Sequence, residues 1–142
     1  MLELAVLLLQ PDAVERGRCQ AALAACCGAE RVAAVASVAE AVQALGLAGG
    51  AAAKLPRLLL VDLPAEEGLP LMARLRSHPA TAGIPVVALL AGTDRRLQEA
   101  WYRAGANSVV GHTRDDRELA EKMRRVVAYW TTVNLANRAS RL

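Results

Sequence analysis

The chain has 142 residues, the length of one ordinary domain, with 54% hydrophobic residues, 22% charged residues and a net charge of +3. That composition excludes a disordered or collagen-like chain, and a core of this size needs no disulfide or metal to hold it. The mild charge, with 3% aromatic residues and no Phe, argues against a nucleic-acid partner, since both a strong field and a stacking platform are missing.

Residues 4–9 (LAVLLL) open the chain as a buried strand. The run is too short to cross a bilayer and lacks a basic flank, so neither a membrane segment nor a signal peptide is expected. A helix is expected over 13–26, with Glu15, Arg16 and Arg18 on its charged side. It carries Cys19 and Cys26, with Cys27 directly after it. Without a C-x-x-C or Cys/His spacing, these suggest a reduced cytoplasmic protein rather than a disulfide or zinc scaffold.

A weaker strand is expected over 31–35 (RVAAV). Ser37, with Glu40 three residues on, has capping-box spacing for a helix over 38–47. Residues 46–53 (GLAGGAAA) read as a flexible loop. Residues 58–61 (LLLV) form the third strand, and 68–77 (GLPLMARLRS) a helix with Leu69, Met72 and Leu75 at spacings of three. Residues 86–90 (VVALL) form the fourth strand, Thr93 or Asp94 caps a helix over 95–104, and 108–110 form a short fifth strand. Asp115 or Asp116 opens the last helix. Continuous apolar runs alternating with helices predict an α/β, doubly wound, five-stranded parallel sheet with helices on both faces.

Two stretches carry a family resemblance. PRLLLVD (56–62), followed by the helix over 68–76 and IPVV (84–87), resembles the middle of a response-regulator receiver domain. AGANS (104–108) resembles the turn before the fifth receiver strand. The likeness covers roughly residues 3–128 in element order, and the tail from Tyr129 to Leu135 resembles stand-alone regulators that partner bacterial phytochromes. The resemblance implies a flavodoxin-like strand order, 2-1-3-4-5, with a site at the carboxyl ends of strands 1 and 3. It makes Asp62 the phospho-acceptor position, although an aspartate there can also simply cap the strand-loop transition.

Phosphoryl transfer to a carboxylate needs a metal and positioned donors to offset like charge. The family's acidic pair after strand 1 is Gln10 and Pro11 here, one neutral oxygen and no side-chain ligand. Magnesium is therefore expected to bind weakly if at all, and no resident cofactor is expected. Asp12 can substitute as a carboxylate or cap the following helix, and the cap needs no further assumption. The family's hydroxyl at the end of strand 4 is Leu90, and its lysine after strand 5 is His112, which either pairs with Asp62 when protonated or is a loop histidine. Residues 63–67 read as a shortened acidic loop ending at Gly68; Glu66 and Glu67 in it are either solvated or help hold a cation. His78 reads as a solvated helix end.

Together these departures imply a pseudo-receiver, not an enzyme: a signalling module that meets a histidine kinase or another protein, with weak or no phosphorylation at Asp62. The alternative is a conventional phospho-acceptor receiver. No phosphate loop, G-x-S-x-G or Cys/His pair supports an enzyme, and no helix-turn-helix follows the domain. Residues 1–128 are expected to form the domain and 129–142 its helical extension. The stripe Leu119, Met123, Val126, Val127, Trp130, Val133 outruns one domain's own needs. A homodimer through Met123, Val127, Trp130 and Val133 is expected, against the alternative that Trp130 folds back on its own domain.

Overall fold

The computed structural model describes residues 4–49 and 55–133, the last two as backbone. The five strands are β1 (Val6–Leu9), β2 (Val32–Val35), β3 (Leu58–Val61), β4 (Val86–Leu90) and β5 (Ser108–Gly111). They are all parallel, in the order β2-β1-β3-β4-β5. The helices are α1 (Ala13–Cys27), α2 (Val38–Ala44), α3 (Ala65–Ser77), α4 (Arg95–Arg103) and α5 (Asp116–Ala128), with a π turn over Tyr129–Val133 continuing α5.

Each helix start follows from its cap. Asp12 accepts from the Glu15 amide, Asp94 from those of Arg96 and Leu97, and Asp115 from those of Arg117 and Glu118. Ser37 accepts from the Glu40 amide, and the Glu40 carboxylate reaches back to the amide of Ala36. The third helix begins a turn earlier than its sequence suggests. Pro64 supplies the first carbonyl acceptor, to Glu67 and Gly68 amides, and Glu66 and Glu67 favour the positive helix start. The expected loop over 63–67 is thus only a short link before α3, and Glu66 and Glu67 are exposed on its first turn. Gly68 is no loop glycine: it is buried within α3.

Strand pleating sends alternate side chains to two cores. Leu7, Leu9, Leu59, Val61, Val86, Ala88 and Leu90 meet α2, α3 and the fully buried Trp101 of α4. Val6, Leu8, Leu58, Leu60, Val87 and Leu89 meet Cys19 and Leu23 of α1 and Leu119, Met123 and Val127 of α5. Each fully buried Leu contributes about 1.5–3 kcal/mol of transfer free energy. Met123 and Val127 are thus core residues, which corrects their expected place on a dimer surface: the helix spends that part of its stripe on β1, β3 and β4. Trp130 is half-buried against the same core, Tyr129 is exposed and stacks edge-on against it at 4.7 Å, and the Val133 side chain lies outside the described residues. Residues 50–53 of the expected 46–53 loop and the tail from residue 134 also lie outside them.

At the amino ends of the strands, Arg76 donates to the carbonyls of Ala82, Ile84 and Gly105 and to Asn107 Oδ1. Asn107 Oδ1 also accepts from the Val86 amide. This clamp fixes the approach to β4 and β5, far from the carboxyl ends where the chemistry-bearing residues gather. No described helix is long and apolar enough to cross a membrane.

Candidate functional site

Register brings the site together. Leu9 of β1 pairs with Val61 of β3, so Gln10 and Asp62 are each the first residue past adjacent strand ends. Their amides still bond inward, Gln10 to the Val35 carbonyl and Asp62 to that of Leu9. Beyond β4, the His112 amide donates to the Leu90 carbonyl at 2.7 Å and sets the imidazole over the same spot. The chain direction across the sheet reverses between β1 and β3, which opens the crevice there. An open cleft of about 490 Å³ results, with Gln10, Glu15, Asp62, Gly92, His112 and Arg114 in its lining.

Asp62 Oδ2 is enclosed by the chain's own donors. Gln10 Nε2 donates to it, and His112 Nε2 lies 2.9 Å away. Burial pushes the Asp62 carboxyl above the usual aspartate range, opposed by the attraction and hydrogen bond of His112 and by the Gln10 amide. Its side chain is 16% exposed.

The Gln10 amide is pinned at both ends. Its Oε1 accepts from the Asp12 amide at 2.8 Å while its Nε2 faces Asp62. Flipping it would set oxygen against carboxylate and NH₂ against N–H, so the orientation is fixed by chemistry. Arg16 Nη1 holds the following turn through the carbonyls of Gln10 and Pro11, at 3.0 and 3.1 Å. The one neutral oxygen that a metal could use is therefore already bonded. Asp12 is occupied as the α1 cap, with Oδ2 2.9 Å from the Glu15 amide. Among the described residues no three His, Cys, Asp or Glu side chains are grouped to hold a metal. The donor set does not fit magnesium.

Leu90 is buried on the α2–α4 side of the sheet and offers the cleft nothing. His78 is an exposed helix end whose Nδ1 accepts from the Ala80 amide. Glu15 and Arg18 are site residues that the sequence reading left on a solvated face. Glu15 Oε2 lies 3.4 Å from His112 Nε2 and 2.8 Å from Arg18 Nη1. Their three-residue separation on α1 signals an ion pair, but nothing local signals its position over the cleft.

No protein-family model matches the chain, and no curated protein matches it. Solved structures do. The phosphorylated cyanobacterial phytochrome response regulator RcpA is 22% identical with a TM-score of 0.77, over 93% of this chain and 96% of that one. A response regulator in red-light signalling from R. palustris is 16% identical, TM-score 0.74, over 91% and 95%. The receiver domain of a Pseudomonas aeruginosa sensor histidine kinase, with magnesium coordinated in its active-site cleft, is 22% identical, TM-score 0.70, over 91% and 98%. The parallel order β2-β1-β3-β4-β5 and this agreement over nearly the whole chain lead to one conclusion: the chain has the fold of the response-regulator receiver domains.

Proposed function

We propose that the chain is a receiver module of two-component signalling that works as a cytoplasmic pseudo-receiver. It meets a histidine kinase or another signalling protein by surface recognition, and Asp62 takes up phosphoryl groups weakly or not at all. The observation that carries this reading is the pair of donors on Asp62 Oδ2: the Gln10 amide and the His112 imidazole stand where incoming charge would need a metal and a lysine. The reading asks for no catalysis of a small-molecule reaction.

A second reading, a phospho-acceptor receiver served by a kinase, is favoured by one observation. Asp62 still sits at an open cleft beside Arg114. Incubation with magnesium and a small acyl phosphate, followed by intact mass, separates the two. The pseudo-receiver reading expects little or no adduct; near-complete conversion that disappears in Asp62→Asn supports the second.

Pairing with a second copy belongs to the same proposal, through the turn that ends α5. Exposed Tyr129 stacked on half-buried Trp130 supports it, since an aromatic pair at a helix end is a favoured anchor.

A further inference from the structure

His112 sits on the loop after an edge strand, where a side chain has few neighbours to hold it. Two carboxylates converge on its Nε2: Asp62 at 2.9 Å and Glu15 at 3.4 Å. Glu15 would otherwise compete with Asp62 for that nitrogen or add its charge to the cleft. What holds it is Arg18. Arg18 Nη1 pairs with both Glu15 oxygens, at 3.0 and 2.8 Å. Its Nη2 donates to the carbonyl of Thr113, the residue after His112, at 3.2 Å, and its Nε to Asp116 of α5 at 2.8 Å. All three guanidinium nitrogens are used, each toward a different segment, on a side chain 19% exposed.

The geometry points to Arg18 as the positioning residue of the cleft: it holds Glu15 from α1 and the loop after β5 together, and so fixes the His112 imidazole against Asp62. A guanidinium spreads its donors over three separate nitrogens and reaches all three partners, whereas an ammonium carries its donors on one nitrogen and cannot span them. In this chain, which lacks the lysine, the imidazole of the cleft is thus placed by a residue of α1. The inference takes His112 and Asp62 as the working pair of the reading above. It does not depend on phosphorylation, so an acyl-phosphate result of either sign leaves it standing.

The test reads the His112 ring directly, by long-range ¹H–¹⁵N spectra of its imidazole, with the other histidine removed as His78→Asn. Arg18→Gln is expected to move the His112 ring signals to those of an exposed histidine. Arg18→Lys is expected to recover only part of the wild-type pattern. Val127→Ala, which destabilises the same helix pair from the core, is expected to leave the signals in place. The response of the ring to Asp62→Asn is expected to shrink at least about threefold in the Arg18→Gln background, as coupled neighbours require. If Arg18→Gln does not fold, Asp116→Ala weakens the same fork from α5 and is expected to move the ring in the same direction. Wild-type ring signals in the folded variant, or an undiminished response to Asp62→Asn, would overturn the assignment.

Discussion

A Cβ placed on Gly68 would fall 2.1 Å from Cη2 of Trp101, so α3 meets α4 across the bare face of a glycine. Trp101 is fully buried, and its Nε1 has no hydrogen-bond partner among the described residues. Gly68→Ala gains about 1 kcal/mol of helix propensity but overpacks the seam by about 1–3 kcal/mol. With the clash this short the second effect wins, and urea unfolding is expected to show a net loss of about 1–2 kcal/mol. Trp101→Leu in the same background is expected to return part of it, which a general helix effect would not.

Asp62 gives a pH dependence of definite sign. Its carboxyl is held above the ordinary value of 3.8, chiefly by burial. The folded state therefore prefers the protonated form. The stability this contributes is complete below the ordinary value and is lost as pH rises through the raised one. Asp62→Asn is expected to be more stable than wild type at neutral pH, with the gap narrowing in acid. Thermal unfolding from neutral pH down to pH ~4 checks it; a gap that widens in acid contradicts it.

Asp12 separates two roles by one substitution. As an α1 cap it is expected to tolerate Asp12→Asn and to lose about 1 kcal/mol as Asp12→Ala. A carboxylate engaged in the cleft would instead respond to both changes, in stability and in magnesium affinity.

The three cysteines are expected to react in an order set by exposure. Cys26 is exposed, Cys27 half-buried and Cys19 fully buried, its thiol pushed up to about 11 by burial and then by Asp62. Native protein is expected to lose Cys26 to a thiol reagent first, and Cys19 only on unfolding. Fast labelling of Cys19 would mean that α1 opens locally.

For the pairing proposal, light scattering at micromolar concentration is expected to give a dimer for the intact chain and a monomer after Tyr129→Ser with Trp130→Ser. Monomer in both cases removes the proposal.

The three central strands were readable because each is an unbroken apolar run buried on both faces: residues 58–61 and 86–90 emerge at their expected bounds. The start of α3 was hidden because no side chain caps it: Pro64 supplies only its carbonyl. Pro70 is accommodated inside the helix, on its exposed face. Asp62 and His112 were legible as positions from the receiver likeness. The Gln10 clamp was half legible: the missing acidic pair could be seen, but not that an amide donor would turn toward Asp62. Arg18 was legible only as a charged residue three from Glu15, since its other partners come from the loop after β5 and α5. The burial of Met123 and Val127 shows the limit of a helical stripe, which gives a face but not how far along it the domain's own sheet extends.

Magnesium titration of the intact chain, followed by calorimetry beside the variant carrying Gln10→Asp and Pro11→Asp, addresses most directly the claim that the chain's own donors satisfy Asp62. Wild-type binding is expected in the millimolar range or weaker, with a gain of tenfold or more, about 1.4 kcal/mol, in the variant. Tight magnesium binding by the wild-type chain, abolished by Asp62→Asn, would contradict the account.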